Sequence, residues 1–401
     1  MIKQTQTKMF DFSDVGLDFC SGAKLLFPSI FKKILANGYN KQTVTSINIS
    51  GNQVTLGFGV SHNYKADRVL KVIASGGYSQ EVYIDSVTDQ SLTFTDNNTS
   101  NLNGTVTSYI ASLNWSLLYE SDSVHLYKMK NLSEEDVYVR FVFQTTPNYM
   151  NTVGVCVGMS ADITLGTITD TTSNTLHATA MTPQSGFQWL FYQGTSSSYN
   201  NSNYSQGFSN FGRGCVIGSL YHLCFLSNSH YWNYMGVFNA ILPIATMYSD
   251  TLTSRVSVWG YRCNDVSSSS VGTPLAFAQA FIHNTEVCSR YQKDGSLFKI
   301  AYQLAPDSYV GNALDSFNTT TCMPLGITEA STGQHLGYVY GAYTAMYGAT
   351  NALDLGKVSD NPMLTVDTDF KNNIALLATA TNSYSAYSAY VCVPVEEIKY
   401  A

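Results

Sequence analysis

The alternation of apolar and polar positions is clearest between residues 28 and 96, where a helical pattern is followed by strand patterns. Ile30, Phe31, Ile34 and Leu35 recur at i, i+1, i+4 and i+5, which places them on one face of a helix. Gly38 ends this pattern, as a glycine just past the last helical turn commonly does. The sequence therefore predicts one short helix near the N-terminus.

Beyond Gly38 the period changes to two, which indicates β-strands. Turn sequences that contain Gly51 and the pair Gly76-Gly77 separate short apolar runs at 47–49, 54–58, 69–73, 82–84 and 92–94. The polar stretch 96–103 then indicates a boundary or a long turn. About five short strands in about fifty residues are typical of a small barrel or sandwich.

The middle of the chain continues the strand pattern with larger side chains. Trp115, Leu117 and Tyr119 alternate with other residues. The run VYVRFVF at 137–143 places Val137, Val139, Phe141 and Phe143 on one face. The Ser/Asn-rich stretch 194–208 predicts a mobile loop. Further strands are predicted at Val153–Val157, Phe187–Tyr192, Val216–Leu226 and Val256–Tyr261.

These patterns predict a mainly β protein with a small N-terminal β-barrel or sandwich module after a short helix, and a larger antiparallel β-sandwich body. We divide the chain into an N-terminal arm with the helix (1–44), the small β-module (45–112) and the larger sandwich (113–270). Residues 271–401 are rich in Tyr, Gly and Ala, and they either continue the β body or form a separate interface domain.

Composition narrows the classes of function. Charged residues make up only 12% of the 401 residues, about half the share in an average soluble protein. Because few charges must be desolvated when two such surfaces meet, this favours a subunit of a larger assembly over a monomer with a neutral surface. The net charge of −7 argues against binding to nucleic acid.

The chain also lacks the usual signals for membranes, export and metals. The longest apolar stretch, 237–248, is too short to span a bilayer, and the polar N-terminus is unlike a secretion signal, so we expect synthesis and retention in a cytoplasm. The eight cysteines stand singly, which predicts buried thiols and no zinc site. Cys215 and Cys224 are the one pair placed to form a disulfide under oxidation, across a hairpin.

No sequence motif indicates catalysis, so we expect neither enzymatic activity nor a cofactor. Asp367 and Asp369 form a D-x-D that suits a cation or sugar chemistry, but a solvated turn explains it more simply. His222 and His230 are the only histidines with a spacing worth noting, and that spacing is unspecific.

Tyrosines give the strongest candidates for a binding surface, because a tyrosine combines a large contact area with few rotors. They alternate with small residues near the C-terminus, where they serve either an interface or the end of a β core. Tyr231 and Trp232 are candidates for stacking on a glycan, although a tryptophan among aromatic residues is more often part of a core. The candidate interface residues are Tyr338, Tyr340, Tyr343, Tyr347, Tyr384, Tyr387 and Tyr390.

Between about residues 25 and 260, the order of these features resembles a family of virion proteins of tailed bacteriophages. The resemblance lies in a helix ending in LANGY, then SHNY, ASGGY and SVTDQSLTF, and later NWSLLYESDSVHLYK, YVRF and VCVGMSADITLGT. Past about residue 270 the chain departs from the family pattern, and the Ser/Asn-rich loop is enlarged.

The resemblance implies a non-enzymatic structural protein of the tail, baseplate or neck, located in the virion. Its expected partners are other virion proteins and further copies of itself in a symmetric assembly. The alternatives are a capsid decoration or collar protein, and a receptor- or glycan-binding module of a fibre or spike. A polysaccharide-cleaving enzyme is a third class, and it would need a paired-carboxylate cleft.

Overall fold

The computed structural model describes residues 2–17, 25–146, 149, 152–173, 175–190, 214–229, 235–246, 248, 255–263, 279–288, 290–291, 297–298, 320–347, 363–365, 374–380 and 388–398. Its strands form a small closed barrel and a larger curled antiparallel sheet. This confirms the predicted fold class, a mainly β protein that combines a barrel and a sandwich.

The N-terminal elements are strand β1 (Lys8–Asp11) and helix α1 (Phe27–Lys32), which continues into a π-helical turn (Lys33–Asn37). Pro28 lies in the first helical turn, where its missing N–H costs no hydrogen bond. The predicted apolar stripe is buried, so the prediction of a helix is confirmed. Gly38 ends the helix with φ 73° and ψ 178°, a conformation that is open essentially to glycine alone.

The barrel strands are β2 (Tyr39–Val44), β3 (Ser46–Ser50), β4 (Gln53–Gly57), β5 (Val69–Ala74), β6 (Ser79–Val87), β7 (Ser91–Thr95) and β8 (Val106–Ile110). Strands β2 and β3 meet at Thr45 and act as one bent strand, because β2 pairs with β8 while β3 pairs with β4. Since the remaining order is β8-β5-β6-β7-β4, the barrel has six strands when β2 and β3 count as one, and it closes with no open edge.

The five predicted strand runs of this module are confirmed as β3 to β7. Strands β2 and β8, which pair with each other, were not predicted. Strand β2 carries the polar run Asn40 to Thr43, which hides its strand character in the sequence. The barrel consequently begins at Tyr39, ahead of residue 45, where the sequence pattern places the start of the module.

The body contains the remaining strands, and all of their pairings are antiparallel. They are β9 (Ser116–Glu120), β10 (Val124–Lys130), β11 (Asp136–Phe143), β12 (Thr152–Gly158), β13 (Ala161–Asp162), β14 (Thr167–Ile168), β15 (Gly186–Leu190), β16 (Gly214–Gly218), β17 (Leu223–Ser229), β18 (Met235–Ala245), β19 (Val256–Cys263), β20 (Gln279–Ile282), β21 (Thr285–Cys288), β22 (Arg290–Tyr291), β23 (Leu297–Phe298), β24 (Thr320–Glu329), β25 (His335–Tyr347), β26 (Met363–Thr365), β27 (Ile374–Ala380) and β28 (Ser388–Pro394).

Strand β19 connects two parts of the body. It pairs with β15 of the run β9-β10-β11-β12-β15, and it also pairs with β18 of the run β1-β16-β17-β18. The sheet continues from β19 through β20, β21 and β24 to β25, which pairs with β18 again, so this part curls back on itself. The predicted single strand Val216–Leu226 is wrong, because a turn at 219–222 divides it into β16 and β17.

The strands β16, β17 and β18 are covered on both faces. Leu223 and Phe225 belong to one hydrophobic core, while the intervening Cys224 and the following Leu226 belong to another. This explains the unbroken apolar sequence of these strands. Cys215 and Cys224 are both buried free thiols in the structure, and their pairing under oxidation stays a prediction.

Helix α1 packs into one of these cores. The ring of Phe27 lies 5.9 Å from that of Phe143 on β11 and 6.1 Å from that of Phe225 on β17, measured between centroids. Phe31 meets Phe141 at 5.0 Å. The helix therefore contacts both parts of the body, the run of strands that contains β11 and the run that contains β17. The predicted boundary at residue 270 stays a prediction, because residues 264–278 lie outside the described ranges.

Residues 3–14, which we call the N-terminal seam, lie between the barrel and the body. The Lys3 ammonium lies 4.4 Å above the Tyr83 ring of the barrel. Strand β1 pairs with β16 of the body, and Gln4 donates a hydrogen bond to the Val395 carbonyl near the end of the chain. One short segment thus contacts the barrel, the middle strands of the body and the C-terminal segment.

A buried ion pair fixes the end of the seam to the barrel. Asp14 accepts two hydrogen bonds from the Arg68 guanidinium, at 2.7 and 3.1 Å, and a third from the Tyr39 hydroxyl at 2.9 Å. Burial raises the pKa of Asp14, but Arg68, Lys65 and Tyr39 together outweigh it and hold that pKa below its usual value. The carboxylate is therefore charged in the folded protein at neutral pH.

We expect Gly38→Ala to destabilise the protein by more than about 2 kcal/mol, because alanine is strained at this φ and ψ. In addition, a Cβ at this position would lie 2.4 Å from the Ile110 carbonyl oxygen. Urea denaturation measures the loss. Gly51→Ala is the matched control, since Gly51 also has a positive φ but has no atom within 4 Å of a Cβ, and it should cost about 1 kcal/mol. Equal losses in the two variants would contradict this account.

We expect Arg68→Met to cost about 3 kcal/mol or more, since it leaves the buried Asp14 carboxylate without its main partner. The double variant Asp14→Leu/Arg68→Met should be more stable than Arg68→Met alone, because the buried charge is removed. Urea denaturation of the three proteins at pH 7 measures this difference.

Because the pKa of Asp14 is depressed in the folded protein, its contribution to stability is present above the unfolded pKa of about 3.8 and is lost as the pH falls further. The stability of the wild type relative to the double variant should therefore decrease below about pH 4. A difference that stays constant between pH 7 and pH 3 would contradict the role of the charged pair.

Candidate functional site

The tyrosines predicted to form an interface lie partly on strand β25. Tyr338 and Tyr340 are 50% and 41% exposed, while Val339 between them is buried. The imidazole ring of His335 lies edge-on to the Tyr338 ring at 5.1 Å. These side chains form an exposed aromatic face on a strand that has partners on both sides.

The other predicted residues are less exposed or lie elsewhere. Tyr343 is half-buried on β25 opposite Cys392, and Tyr390 on β28 lies opposite Ala345. Tyr347 is the last residue of β25. Outside the described residues lie Tyr231, Trp232, Asp367, Asp369, Tyr384 and Tyr387.

A second exposed surface comes from residues 159–184, which connect β12 to β15 and which we call the 159–184 segment. Its hairpin β13-β14 and a 3-10 turn at Thr175–His177 give it regular structure. Ser123 donates a hydrogen bond to the Met181 carbonyl, which ties the segment to the start of β10. The segment is thus held against the outer side of the sheet.

Arg140 of β11 is the anchor of this segment. Its Nε donates to the Gly166 carbonyl at 2.6 Å, and its Nη1 donates to the carbonyls of His177 and Ala180, each at 2.7 Å. Arg140 is fully buried, and burial lowers the pKa of its guanidinium. Three backbone oxygens from two separate stretches of the segment thus converge on one side chain.

Two further groups fix the ends of the segment. Asp170 accepts hydrogen bonds from the backbone N–H groups of Met159 and Thr172, both at 2.9 Å. The Nε2 atom of His177 accepts one from the N–H of Gln184 at 3.0 Å. Burial lowers the pKa of His177 to about 4, so its ring is neutral at pH 7.

The outer side of the 159–184 segment carries four large apolar side chains among exposed serine and threonine residues. Ile163, Leu165, Leu176 and Met181 are between 37% and 64% exposed. Leu165 and Met181 each adjoin a carbonyl that Arg140 holds, so the guanidinium brings their two stretches together. Large exposed apolar side chains on a rigid segment are characteristic of surfaces that bind another protein.

The sequence signal for this surface was present but weak. The stretch ADITLGT alternates in polarity like an ordinary hairpin, and nothing in it shows which side faces solvent. Arg140 interrupts the apolar run VYVRFVF, and an arginine at such a position indicates a buried polar anchor on the second face of the strand. Arg140 was therefore the one position in the sequence that indicated an attached segment on this face of the strand.

Pairs of residues that suggest catalysis prove to be internal supports. Ser219 Oγ and His222 Nδ1 are 2.8 Å apart, as in a nucleophile and its base, but both residues are fully buried. Burial lowers the pKa of His222 to about 3. The buried His125 contacts the Tyr127 hydroxyl at 3.1 Å, and burial lowers its pKa to about 4. These histidines are neutral at pH 7 and closed to a substrate.

Metal-ligand groups, cavities and membrane-spanning helices are the features that would indicate other kinds of site. Within those ranges, no group of three or more His, Cys, Asp or Glu side chains is placed to hold a metal ion. A cavity of about 10 Å³ lies between Val157, Phe187 and Phe281, which is room for about one water molecule. Among the helices that the structure describes, none has the length and hydrophobicity needed to cross a membrane.

Comparison of the chain with protein-family models, with curated proteins and with solved structures gave no significant match.

We expect Arg140→Lys to loosen the 159–184 segment, because one ammonium cannot replace a planar fork that serves three carbonyls. The carbonyls left without a partner should cost about 1–3 kcal/mol. Limited proteolysis with mass spectrometry should show faster cleavage within residues 159–184.

Arg255→Lys is the matched control for this experiment, since Arg255 makes an exposed hydrogen bond to Ser133. It should leave the cleavage pattern unchanged. If Arg140→Lys left cleavage within 159–184 at the wild-type rate, the guanidinium would not be the anchor of the segment.

Proposed function

We propose that this chain is a non-enzymatic structural component of a tailed-phage virion, in the tail, baseplate or neck, and that it acts through contacts between subunits. The observation that carries the proposal is the rigid apolar surface of the 159–184 segment. Its exposed aliphatic side chains stand on a backbone that Arg140 already holds in place.

Preorganisation is what makes this surface suitable for assembly. Ordering a loop on binding costs free energy that must be subtracted from the contact. Because the segment is held by hydrogen bonds at Arg140 and Asp170, much of that cost is already met in the folded subunit. Apolar side chains such as Leu165 and Met181 can then bury their area against a neighbour with little loss of entropy.

Two further features support the proposal. The low charge content of the chain reduces the desolvation that close packing of subunits requires. The order of sequence features from the LANGY helix to VCVGMSADITLGT resembles tailed-phage virion proteins, and the 159–184 segment begins within the last of these motifs. Tyr338 and Tyr340 offer a second surface of the same kind.

We expect the double variant Leu165→Ser/Met181→Ser to associate at least tenfold more weakly than the wild type. Each large apolar side chain at an interface centre contributes on the order of 1–2 kcal/mol, and 1.4 kcal/mol corresponds to about tenfold in Kd. Sedimentation velocity over a range of concentrations measures the association. Labelled antibody against the chain on purified particles tests its presence in the virion.

The matched control is Val60→Ser/Ile73→Ser, which removes two exposed apolar side chains from the barrel and should leave association unchanged. Both variants should retain the urea midpoint of the wild type within the error of a surface substitution. A wild type that stays monomeric at high concentration and is absent from particles would overturn the proposal. Specific binding to a host glycan by a monomer would favour a receptor-binding module instead.

A further inference from the structure

One carboxylate of the barrel, next to the N-terminal seam, bridges an amine and a side-chain amide. Glu81 lies on the outer face of barrel strand β6, and its Oε2 is 2.8 Å from the Lys8 Nζ. Its Oε1 accepts a hydrogen bond from the Asn114 Nδ2 at 3.0 Å. Lys8 begins strand β1, and Asn114 lies in the connection from the barrel to the body.

The surroundings hold these groups in place. The Lys8 side chain is only 3% exposed, and its Nζ also donates to the Ser112 carbonyl. The hydroxyl of Ser112 accepts a hydrogen bond from the backbone N–H of Asn114 at 3.3 Å and donates one to the Ala36 carbonyl at 3.0 Å. Ser112 thereby connects the amine and the amide-bearing residue.

Burial also changes the chemistry of the amine. It lowers the pKa of Lys8, and the nearby Glu81 offsets only part of that shift. The ammonium of Lys71, on the neighbouring strand β5, lowers the pKa further. A buried lysine with a lowered pKa has a larger share of the neutral, nucleophilic amine.

We propose that Lys8 and Asn114 join in an intramolecular isopeptide bond, with Glu81 as the group that transfers the protons. The nucleophile and the amide both contact the same carboxylate, which can carry protons between them, and a nucleophile, an amide and a proton carrier are the components that such a bond requires.

The step balances without any co-reactant. The Lys8 ammonium gives a proton to the Glu81 carboxylate, and the neutral Nζ attacks Cγ of Asn114. The new C–N bond forms as the bond from Cγ to Nδ2 breaks. Glu81 passes the first proton to Nδ2 and then takes a second proton from the attacking Nζ, and the departing ammonia carries this second proton away as ammonium. Glu81 ends as it began, and no group is oxidised or reduced. Asn114 is exposed, which gives the ammonia a path to solvent.

The bond would enclose residues 8 to 114, and therefore helix α1 and the whole barrel, in one covalent ring. It would also fasten strand β1 to the connection that leads into the body. Closing a long loop in this way restricts the unfolded chain and raises resistance to unfolding.

Intact mass spectrometry of the purified full-length chain tests the inference. We expect a mass lower than the sequence mass by one ammonia, and a proteolytic digest should contain a branched peptide that joins Lys8 to Asn114. Lys8→Arg and Glu81→Gln should each show their full sequence mass. Lys41→Arg, at an exposed lysine on barrel strand β2, is the matched control, and it should keep the loss of ammonia.

A succinimide at Asn114 would also lose one ammonia, but it would persist in Lys8→Arg and give no branched peptide, which would overturn the inference. A wild type that retains its full mass after long incubation at pH 7–8 would overturn it as well. Circular dichroism of each variant shows whether it is folded. The conservative Glu81→Gln keeps the side-chain shape, so its full mass would report on proton transfer even if Lys8→Arg were unstable.

Discussion

The rest of the structure depends on the packing of the N-terminal seam between the barrel and the body. Strand β1 extends the sheet of the body through β16, and the same short segment presents Lys8 and Asp14 to the barrel. The charges are buried because the two units meet there, and they are tolerated because each has a partner of opposite sign. Because the seam pairs with a strand of the body and forms ion pairs with the barrel, it fixes how the two units are joined.

Helix α1 also joins separate parts of the structure, through apolar contacts. It follows the seam in the sequence and brings Phe27 and Phe31 between β11 and β17. Offset and edge-on aromatic contacts of this kind are directional as well as apolar, so they orient the helix in addition to burying it. In the sequence, the barrel strands lie between the helix and β9. The apolar residues inside the barrel belong to the same large core as the helix.

Local patterns predicted the local structure well, and they failed where the structure depends on distant pairings. The helix stripe, the turn at Gly51 and strands β3 to β7 follow from spacing and turn chemistry, which involve near neighbours only. Strand β8 was missed because its role is to pair with β2, far away in the sequence. The place of β1 beside β16 likewise has no local signature.

One of the two candidate surfaces was predicted from the sequence, and the other was not. The sequence pointed to tyrosines at alternating positions, and Tyr338 and Tyr340 are indeed exposed, although their role as an interface stays a prediction. The 159–184 segment was not predicted as a surface, since its apolar residues look like half of a buried hairpin. Only the contacts of Arg140 show that the segment is held through its backbone carbonyls and through the Met181 sulfur.

The pairing of β1 with β16 has a consequence for the order of events during synthesis. Lys8 lies opposite Gly218, so strand β1 finds its sheet partner only after about two hundred further residues have been synthesised. The barrel can form much earlier, because all of its strands lie within residues 39–110. Correct docking of the N-terminus is therefore a late step, and until then β1 and β16 are two unpaired edges that a chaperone or a neighbouring chain can reach.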